Sequence, residues 1–422
     1  MIPFNRTDSR MTTIISAFFN GYFRNYIPLF EETFARYIGK EHALFTSSCR
    51  SALYLAYKTL KLEGEVIVSP LTCSIAILPI ICAGLKPHFV DINPKTFNID
   101  PEKINESITE KTCAIQAIHI GGNPCDMRPI KEIAEDHNLI LVEDCAQALG
   151  AEYEGKKLGY FGDISCFNLS KNMYGIGGGV IVTDDQNMLL NAKDIQAKFD
   201  NIPTSFVYYR LIRHIMEKIR GKPLENALYG MLMSSRKLSH QGKRVIKEEE
   251  DCNFLQHTMH IPANIEASVA YSQFKQLEVL LKRRIENALI LSEKLQKIHE
   301  VELQTITKNS MHVFTRYMIK TPYSSKDVIK KLNEEGVEAK HLVQKYGSMY
   351  QERFDRNKIF SCYESIKNCE NYLEIHDNIV TLPMSSNMKR RDIMLIKDRL
   401  HDVLKSIDNT AISRRSEREE GI

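Results

Sequence analysis

Several residues of this chain have types that can do chemistry, and the first group lies in a hydroxyl-rich turn. The turn Ser47-Ser48-Cys49-Arg50-Ser51 follows a short apolar run and precedes a helix-like segment. The free N–H groups and the dipole of a helix N-terminus attract anions, and an arginine adds a fixed positive charge. The turn is therefore a candidate phosphate site, although the serines could equally cap the helix with no ligand present.

A carboxylate follows at the end of a predicted strand. Asp144 closes the apolar run Leu139-Ile140-Leu141-Val142, after one further acid, Glu143. Ligands of open α/β sheets bind at the carboxyl ends of the strands, so Asp144 is a candidate ligand-binding acid. A helix-capping aspartate just past a strand is an equally good explanation.

A lysine opens an uncharged stretch of the chain. No charged residue lies between Lys171 and Thr183, and the stretch contains Gly175 and Gly177-Gly178-Gly179. A dinucleotide fingerprint needs a strand before its glycines and a helix after them, whereas here the predicted strand Val180–Thr183 comes after them. The sequence therefore excludes that motif, and a solvated surface lysine is the plain alternative for Lys171.

Taken together, these features match the needs of one cofactor, pyridoxal 5'-phosphate. Its phosphate requires an anion-binding turn, and its aldehyde forms a Schiff base with a lysine amine such as that of Lys171. A carboxylate such as that of Asp144 keeps the pyridine nitrogen protonated, so that the ring accepts electrons. Once displaced by an incoming amine, the lysine can carry the α-proton as base and acid.

The elements that must position these residues alternate between strand-like and helix-like segments. The predicted strands are apolar without polar alternation, as is typical of strands buried on both faces; they are Glu65–Val68, Pro87–Asp91, Cys113–His119, Leu139–Asp144 and Val180–Thr183. We therefore predict an α/β fold: a large domain with a mainly parallel sheet sandwiched by helices, and a smaller C-terminal α+β domain. A long helix is predicted over Asn264 to Ile298, and another over Lys389 to Leu404.

Changes of character along the chain predict its domain boundaries. The predicted units are an N-terminal segment (1–26), a large cofactor-binding domain (27–189), an inserted helical segment (190–255), a long connecting helix (256–300), a small C-terminal domain (301–405) and a flexible tail (406–422). The insert is rich in basic and aromatic residues. We expect it to pack on the body or on a partner subunit, with contact between 205–220 and an anionic membrane surface as the alternative.

Composition excludes several classes of function. The 422 residues carry a net charge of only +3, which gives no general reason to expect a nucleic-acid partner. Ten cysteines without a C-x-x-C pair are too dilute for a disulfide scaffold, so we expect reduced core residues, Cys82 among them, in the cytoplasm. Metal-ligand spacing is missing, since His299-Glu300 has no second histidine after it, and no metal is predicted.

The chain resembles the DegT/DnrJ/EryC1/StrS aminotransferases, the sugar aminotransferase branch of the fold-type I pyridoxal phosphate enzymes. The resemblance runs from about Ile27 to Leu404. The segments that carry it are short and individually unspecific, but specific in combination: Ser48–Ala56, Phe89–Ile92, Phe97–Asp100, Val142–Ala151, Gly162-Asp163, Lys171-Asn172 and Asn264–Ala267.

The resemblance implies roles for individual residues. Lys171 matches the Schiff-base lysine, Asp144 the acid paired with the pyridinium nitrogen, and Gln147 the residue beside the ring hydroxyl. Arg50 and Ser51 match the phosphate cup. The resemblance also implies a homodimer with active sites at the subunit interface. The implied reaction moves an amino group, commonly from glutamate, onto a nucleotide-linked keto sugar.

The chain departs from the family pattern at several positions around this site. Cys49-Arg50 stands where the family usually has Gly-Thr, and Cys73 stands near the position of a ring-stacking aromatic residue. The segment before Lys171 is shorter than usual, which leaves open whether Asn168 or Ser170 meets the phosphate.

Two further departures concern neighbouring segments. Ile176 replaces a common acidic residue of the glycine loop, and Met259 or His260 lies where a partner-chain asparagine normally precedes Asn264. The departures leave alternatives open: a dehydratase or decarboxylase that uses the same cofactor, or a non-catalytic protein that binds it as a sensor or scaffold.

Overall fold

The computed structural model describes residues 2–3, 11–173, 175–219, 259–341 and 363–419. Its largest element is a seven-stranded sheet. The strands of the first half of the chain are β1 (His42–Thr46), β2 (Glu65–Val68), β3 (Lys86–Phe89), β4 (Thr112–Ile118), β5 (Ile140–Cys145), β6 (Glu152–Tyr153), β7 (Lys156–Lys157), β8 (Ile164–Asn168) and β9 (Gly179–Thr183).

The strand order of this sheet is β1-β9-β8-β5-β4-β2-β3. Strands β3, β2, β4, β5 and β8 are parallel, whereas β9 is antiparallel to both of its neighbours, β8 and β1. The prediction of an α/β fold with a mainly parallel sheet is confirmed. Since β1, β5 and β8 run in the same direction, their carboxyl ends lie at one edge of the sheet.

Helices cover both faces of the sheet, which explains why its strands are apolar on both sides. The helices of this half are α1 (Met11–Phe23), α2 (Ile27–Ile38), α3 (Cys49–Leu60), α4 (Ser74–Cys82), α5 (Pro101–Ser107), α6 (Met127–Asp136), α7 (Leu169–Asn172), α8 (Gln186–Gln196) and α9 (Thr204–Ile219). One core includes Phe30 and Phe34 of α2 with Ile130 of α6. The other includes Leu53 of α3 and Ile77 of α4.

The C-terminal part forms a smaller α+β unit with its own core. The elements that follow α9 are α10 (Asn264–Phe274), α11 (Leu277–Leu295), β10 (Glu302–Leu303), β11 (Ser310–Met311), β12 (Tyr317–Lys320), α12 (Ser325–Glu334), α13 (Tyr363–Ile366), α14 (Glu370–Ile375), β13 (Ile379–Leu382) and α15 (Arg390–Glu419); of these, α11, β10, β12, α12, β13 and α15 contribute to the C-terminal core. Strands β10, β12 and β13 form an antiparallel sheet, and β11 joins β6 and β7 in another. Helix α11 belongs to both cores, with Leu281 in the first and Leu291 in the C-terminal one.

The structure differs from the sequence predictions at three elements. Strand β8 was not predicted, because Ser165 and Asn168 break its apolar run. The long helix predicted over Asn264 to Ile298 is two helices, since the N–H of Gln276 bonds to the carbonyl of Gln273, which is tighter than α-helical spacing. The last helix continues past Leu404 to Glu419 through a segment without glycine or proline.

Residues 190–219 of the predicted insert are described and contain the end of α8 and all of α9; the rest of 190–255 lies outside the described residues. The ring of Tyr208 lies 5.4 Å from that of Phe18 on α1, and its hydroxyl is 2.7 Å from that of Tyr22. Arg210 forms an ion pair with the buried Glu266 of α10. These contacts fix α9 against the body of the protein, and no helix of the described ranges is long and apolar enough to cross a membrane.

The described cysteines correct one expectation. Seven of them are free thiols: Cys49, Cys73, Cys113, Cys125, Cys145, Cys166 and Cys369. Cys82, in contrast, is disulfide-bonded, so the expectation that it is a reduced core residue is wrong. Its place in the apolar run Ile80–Ala83 had made it look like an ordinary packing residue, and it lies partly buried against Tyr54 and Met259.

One buried carboxylate joins the C-terminal unit to the central sheet. Asp91, just past β3, accepts hydrogen bonds from the N–H groups of Asn371 and Tyr372 in the first turn of α14 (2.8 and 2.9 Å) and from that of Ile92 (2.8 Å). A charged acceptor suits the positive end of a helix dipole. The contact therefore fixes where α14 lies on the sheet.

We predict that Asp91→Ala lowers the free energy of unfolding by about 3 kcal/mol, because three N–H groups lose a charged acceptor in a buried place. Urea denaturation measures the loss. Asp100→Ala is the matched control, since Asp100 caps α5 through a single hydrogen bond to the N–H of Glu102, and we expect about 1 kcal/mol there. Equal losses in the two variants would contradict the assignment.

Candidate active site

The turn between β1 and α3 has the features of an anion site. Ser48 caps the helix, its Oγ accepting a hydrogen bond from the N–H of Ser51 at 3.2 Å. The hydroxyls of Ser47 and Ser51 are buried and have no hydrogen-bond partner within the described residues. Buried hydroxyls are normally paired, so these two indicate a missing polar partner at the helix N-terminus. The capping explanation is confirmed for Ser48, and the phosphate site stays a prediction.

The glycine loop lies directly against this turn. The N–H of Gly178 bonds to the carbonyl of Ser47 at 3.2 Å, and Gly178 has a φ of +95°. A Cβ placed on Gly179 would lie 2.4 Å from the carbonyl carbon of Ser48. Glycine is therefore required at both positions, once for conformation and once for close approach. The loop serves to bring β9 against the start of α3.

Asp144 is buried at the carboxyl end of β5. Its Oδ1 accepts a hydrogen bond from the N–H of Ala146 at 2.9 Å, and its Oδ2 accepts one from Nε2 of Gln116 at 3.5 Å. Burial raises the pKa of Asp144 above its ordinary value, and the Ala146 N–H and the positive charge of Lys171 oppose that rise. The carboxylate is therefore held in a site of low polarity where a nearby cation stabilises its charged form.

Lys171 lies in the short helix α7 that follows β8. The side-chain oxygen of Asn168 accepts hydrogen bonds from the N–H groups of Ser170 (2.8 Å) and Lys171 (3.1 Å), which fixes the start of this turn. The Lys171 side chain is half-buried, and its charge acts on Asp144 and on the Cys49 thiol. The structure thus brings together the three sequence stretches that were singled out.

Asn168 and Ser170 differ in their surroundings. The Asn168 side-chain oxygen is already used as a cap, whereas the Ser170 side chain is exposed. Gln147 follows Asp144 by three residues, and its Oε1 accepts a hydrogen bond from the N–H of Gly121 at 3.3 Å. Gly121 has a φ of +71°, which lets the chain turn toward Gln147 after β4.

Sequence reasoning missed the residues that hold the Lys171 segment in place. Arg284 of α11 is buried and donates hydrogen bonds to the side-chain and backbone oxygens of Asn172 at 3.1 and 3.2 Å. The hydroxyl of Thr315 lies 2.5 Å both from the Asn172 side-chain oxygen and from the Gln147 carbonyl. No local motif marks Arg284 or Thr315, because both reach the site from distant parts of the chain.

Several thiols lie near the Asp144 carboxylate. Cys49, Cys145 and Cys166 are buried, and the charge of Asp144 acts on all three; burial raises the pKa of each thiol, and Asp144 adds to the rise. Cys73, half-buried at the start of α4, also acts on Cys49. Cys49 and Cys166 are therefore uncharged at neutral pH and give the carboxylate an apolar environment, whereas Cys145 lies on the Glu143 face of β5.

Glu143 points to the opposite face of β5 from Asp144. It accepts hydrogen bonds from the N–H groups of Gly159 and Gly162 at 2.8 and 2.5 Å, and its Oε2 lies 3.2 Å from Nε2 of His119. Burial alone would raise the pKa of Glu143, but these hydrogen bonds lower it below its ordinary value.

Glu143 also belongs to a group of three buried side chains of metal-ligand type. Ligand atoms of His119, Glu143 and Cys145 lie within 4.8 Å of one another. The Glu143 oxygens already accept several hydrogen bonds, and Nδ1 of His119 accepts one from the N–H of Cys125 at 3.0 Å. This satisfied network links β4, β5 and the 159–162 loop, and we assign it a structural role.

Two of the departures have a structural explanation. Ile176 in the glycine loop is buried in a hydrophobic cluster with Val207 and Leu211 of α9, so an acidic residue there would be left without water. Met259 is buried against Tyr54 on α3. Both replacements therefore pack against elements next to the site instead of contributing polar groups to it.

Comparison with known proteins identifies the family of this chain. The sequence profile of the DegT/DnrJ/EryC1/StrS aminotransferase family matches residues 13–201 and 231–401. The chain is 26% identical over 394 residues to the spore coat polysaccharide biosynthesis protein SpsC of Bacillus subtilis, a match that covers 90% of each chain.

Two other relatives have names that state a reaction or product. GDP-perosamine synthase of Escherichia coli O157:H7 is 41% identical over 168 residues, 39% of this chain and 46% of the relative. GDP-4-keto-6-deoxy-D-mannose 3-dehydratase of Yersinia pseudotuberculosis is 28% identical over 332 residues, 75% of this chain and 77% of the relative.

Among solved structures, the fold is similar to that of PseC of Helicobacter pylori, an aminotransferase involved in pseudoaminic acid biosynthesis. The TM-score is 0.72 at 18% identity, over 96% of this chain and 99% of PseC. The likeness confirms the fold-type I architecture. From the profile match over most of its length, we conclude that this chain belongs to the DegT/DnrJ/EryC1/StrS aminotransferase family of pyridoxal phosphate-dependent enzymes.

Proposed function

We propose that this chain binds pyridoxal phosphate through Lys171 and transfers an amino group, with glutamate as donor, to a nucleotide-linked keto sugar. One observation carries the proposal: a lysine, a buried carboxylate and a helix N-terminus meet at the carboxyl edge of the central sheet. The charge of Lys171 acts on both Asp144 and Cys49, and Cys49 is the first residue of α3. Few other cofactors need all three groups together.

The residues at the start of α3 fit a phosphate group. The orphaned hydroxyls of Ser47 and Ser51 can donate to phosphate oxygens, and the helix N-terminus supplies N–H groups and a favourable dipole. Arg50 lies in the first turn of this helix, where its charge favours an anion. With its side chain exposed, Ser170 is a better candidate for a further contact than Asn168, whose oxygen already caps α7.

When bound, pyridoxal phosphate supplies an aldehyde that condenses with amines and a ring that accepts electrons. Asp144 would face the ring nitrogen and keep it protonated, a task that needs an ionised carboxylate in an apolar site. The positive charge of Lys171 and the N–H of Ala146 both favour that ionised form. Gln147 would lie beside the ring hydroxyl, as the family resemblance implies, and Cys73 would occupy the position of the usual ring-stacking residue without stacking.

Lys171 has two tasks in this proposal. Its Nζ would hold the cofactor through the aldehyde, and once an amino donor has displaced it, the free amine would accept and release the proton of the donor's α-carbon. A base that moves a proton between two atoms must be attached to a backbone that is itself fixed. The Asn168 cap and the Arg284–Asn172 hydrogen bonds provide that support on either side of Lys171.

The substrate class rests on relatives. Matches to a GDP-perosamine synthase and to a spore coat polysaccharide biosynthesis protein support a nucleotide-linked keto sugar as acceptor, in polysaccharide or glycoside biosynthesis. The family resemblance supports a homodimer with shared active sites in the cytoplasm, with glutamate as donor. To test the acceptor, the protein is incubated with glutamate and a panel of nucleotide-linked keto sugars. Mass spectrometry then detects any aminated product.

A 3-dehydratase is the second candidate, because one relative bears that name over three quarters of this chain. The dehydratases that resemble this family lack the cofactor-binding lysine, whereas this chain retains Lys171. Lys171 therefore favours transamination. The two reactions give products of different mass, since dehydration removes water from the sugar and transamination replaces a carbonyl oxygen with an amine.

We predict that borohydride reduction of the protein loaded with pyridoxal phosphate labels the peptide that contains Lys171, as peptide mapping would show. Lys171→Ala should remove the label and lower the transamination rate by about a thousandfold, because the variant lacks the acid–base amine. Lys198→Ala, which removes an exposed lysine, is the control and should retain both. A label on a different lysine would contradict the proposal.

We also predict that Ser51→Ala weakens the binding of pyridoxal phosphate about tenfold, since one donor to the phosphate is lost. Fluorescence or absorbance titration of the apoprotein measures this. Thr59→Val is the matched control, because Thr59 has a buried hydroxyl without a partner in the described chain and lies near the other end of α3. Equal weakening in both variants would place the phosphate elsewhere.

A further inference from the structure

A glutamine lies fully buried in the middle of the interior strand β4. Its neighbours along the strand, Ile115 and Ala117, are apolar, as expected for a strand covered on both faces. An unpaired amide in such a place would cost a few kcal/mol, so the contacts of Gln116 must compensate for its burial. Gln116 is not among the residues that the sequence singled out.

The register of the sheet directs Gln116 toward Asp144. Strands β4 and β5 are parallel, and Gln116 pairs with Val142. Asp144 is two residues beyond Val142, and side chains two residues apart on a strand lie on the same face. Gln116 and Asp144 therefore share the face that α3 and α4 cover, while Glu143 lies on the other.

Every polar group of the Gln116 side chain has a partner. The hydroxyl of Tyr57 on α3 donates to Oε1 at 2.6 Å. Nε2 donates to the carbonyl of Ala76 on α4 at 3.4 Å and to Oδ2 of Asp144 at 3.5 Å. Burial raises the pKa of Tyr57 well above its ordinary value, so the hydroxyl keeps its proton and remains a donor. The Ala76 carbonyl and Asp144 Oδ2 are both acceptors and require Nε2 on their side of the amide, which leaves Oε1 to accept from Tyr57.

We propose that Gln116 is a positioning residue that holds the Asp144 carboxylate in place and in its charged form, and that Tyr57 fixes the orientation of Gln116. The inference rests on the proposed function, in which Asp144 faces the ring nitrogen of pyridoxal phosphate. Ala146 holds one carboxylate oxygen and Gln116 the other, so the plane of the carboxylate is set from two sides. Helix α3 thereby contributes to both ends of the cofactor site, through Ser51 at its start and Tyr57 two turns later.

The charge of Asp144 depends on several neighbours besides Gln116. The titratable groups whose charges act on Asp144, or on which its charge acts, are Cys49, Tyr57, His119, Cys125, Cys145, Cys166 and Lys171. Of these, His119, Cys125 and Cys145 lie on the Glu143 face of the sheet. Burial raises the pKa of Asp144, so the loss of a donor at Oδ2 raises it further. Protonation of Asp144 would then begin at a higher pH.

The test compares Gln116→Met, Tyr57→Phe and the double variant, each loaded with pyridoxal phosphate. Because Met keeps the volume of Gln but has no donor, we expect Gln116→Met to bind the cofactor about tenfold more weakly. The acid limb of its binding curve against pH should move to higher pH. Tyr57→Phe should have a smaller effect in the same direction and no further effect in the Gln116→Met background, since it acts only through that amide.

Gln273→Met is the matched control, because Gln273 of α10 is another fully buried glutamine, and its amide has no partner within the described ranges. Gln273→Met should leave the cofactor affinity and its pH profile unchanged. The control therefore separates the effect of losing any buried amide from the effect of losing the amide that contacts Asp144. Thermal unfolding of the apoproteins shows whether each variant is folded. If Gln116→Met does not fold, Tyr57→Phe supplies the same readout.

The outcomes separate this inference from the proposed function. The inference alone would be overturned if the wild-type protein takes up the cofactor and the folded Gln116→Met and Tyr57→Phe variants bind it with the same affinity and the same pH profile. Additive effects of Tyr57→Phe and Gln116→Met would overturn the role given to Tyr57. Failure of the wild-type protein to take up pyridoxal phosphate would overturn both.

Discussion

The site depends on two adjacent carboxylates that β5 directs to opposite faces of the sheet. Glu143 receives hydrogen bonds from two backbone N–H groups and lies against His119, so its charge is used within the protein. Asp144 has a single short hydrogen bond, from Ala146, and a long one from Gln116. Strand alternation thus separates a structural acid from one whose charge is left for a ligand. Exchanging the positions of the two carboxylates would require a one-residue shift in the register of β5. Such a shift would move every apolar side chain of the strand to the opposite face of the sheet.

Much of the fold could be predicted because the relevant signals are local. Four parallel strands and β9 are short apolar runs, and the turn before α3 contains its own cap. Strand β8 gave no such signal, although it leads directly to Lys171, because Ser165 and Asn168 give it mixed polarity. The Ser165 hydroxyl is satisfied by a tertiary contact with the Gly159 carbonyl at 3.0 Å, and Asn168 caps α7. Such contacts cannot be read from sequence spacing.

The residues of the candidate site could also be predicted only where their signals are local. Lys171, Asp144 and the serine turn could be singled out by residue type and position, and their convergence follows from the parallel direction of β1, β5 and β8. Arg284 and Gln116 could not, since an arginine in a long helix and a glutamine in a strand have no special pattern. Arg284 reaches Asn172 across 112 positions of sequence, so only the docking of α11 brings them together.

The position of Arg284 has a consequence for how the two units of the protein act together. Helix α11 packs its first half into the core of the large sheet and its second half into the C-terminal core, and Arg284 lies between them. Its guanidinium donates to both oxygens of Asn172, the residue after Lys171. If the C-terminal unit is displaced, Asn172 must therefore move with it or lose its hydrogen bonds to Arg284. Breaking those hydrogen bonds would leave a buried cation without partners, which costs several kcal/mol. The amine of Lys171 is thus positioned by the large sheet that carries it and by the contact of that sheet with the smaller unit.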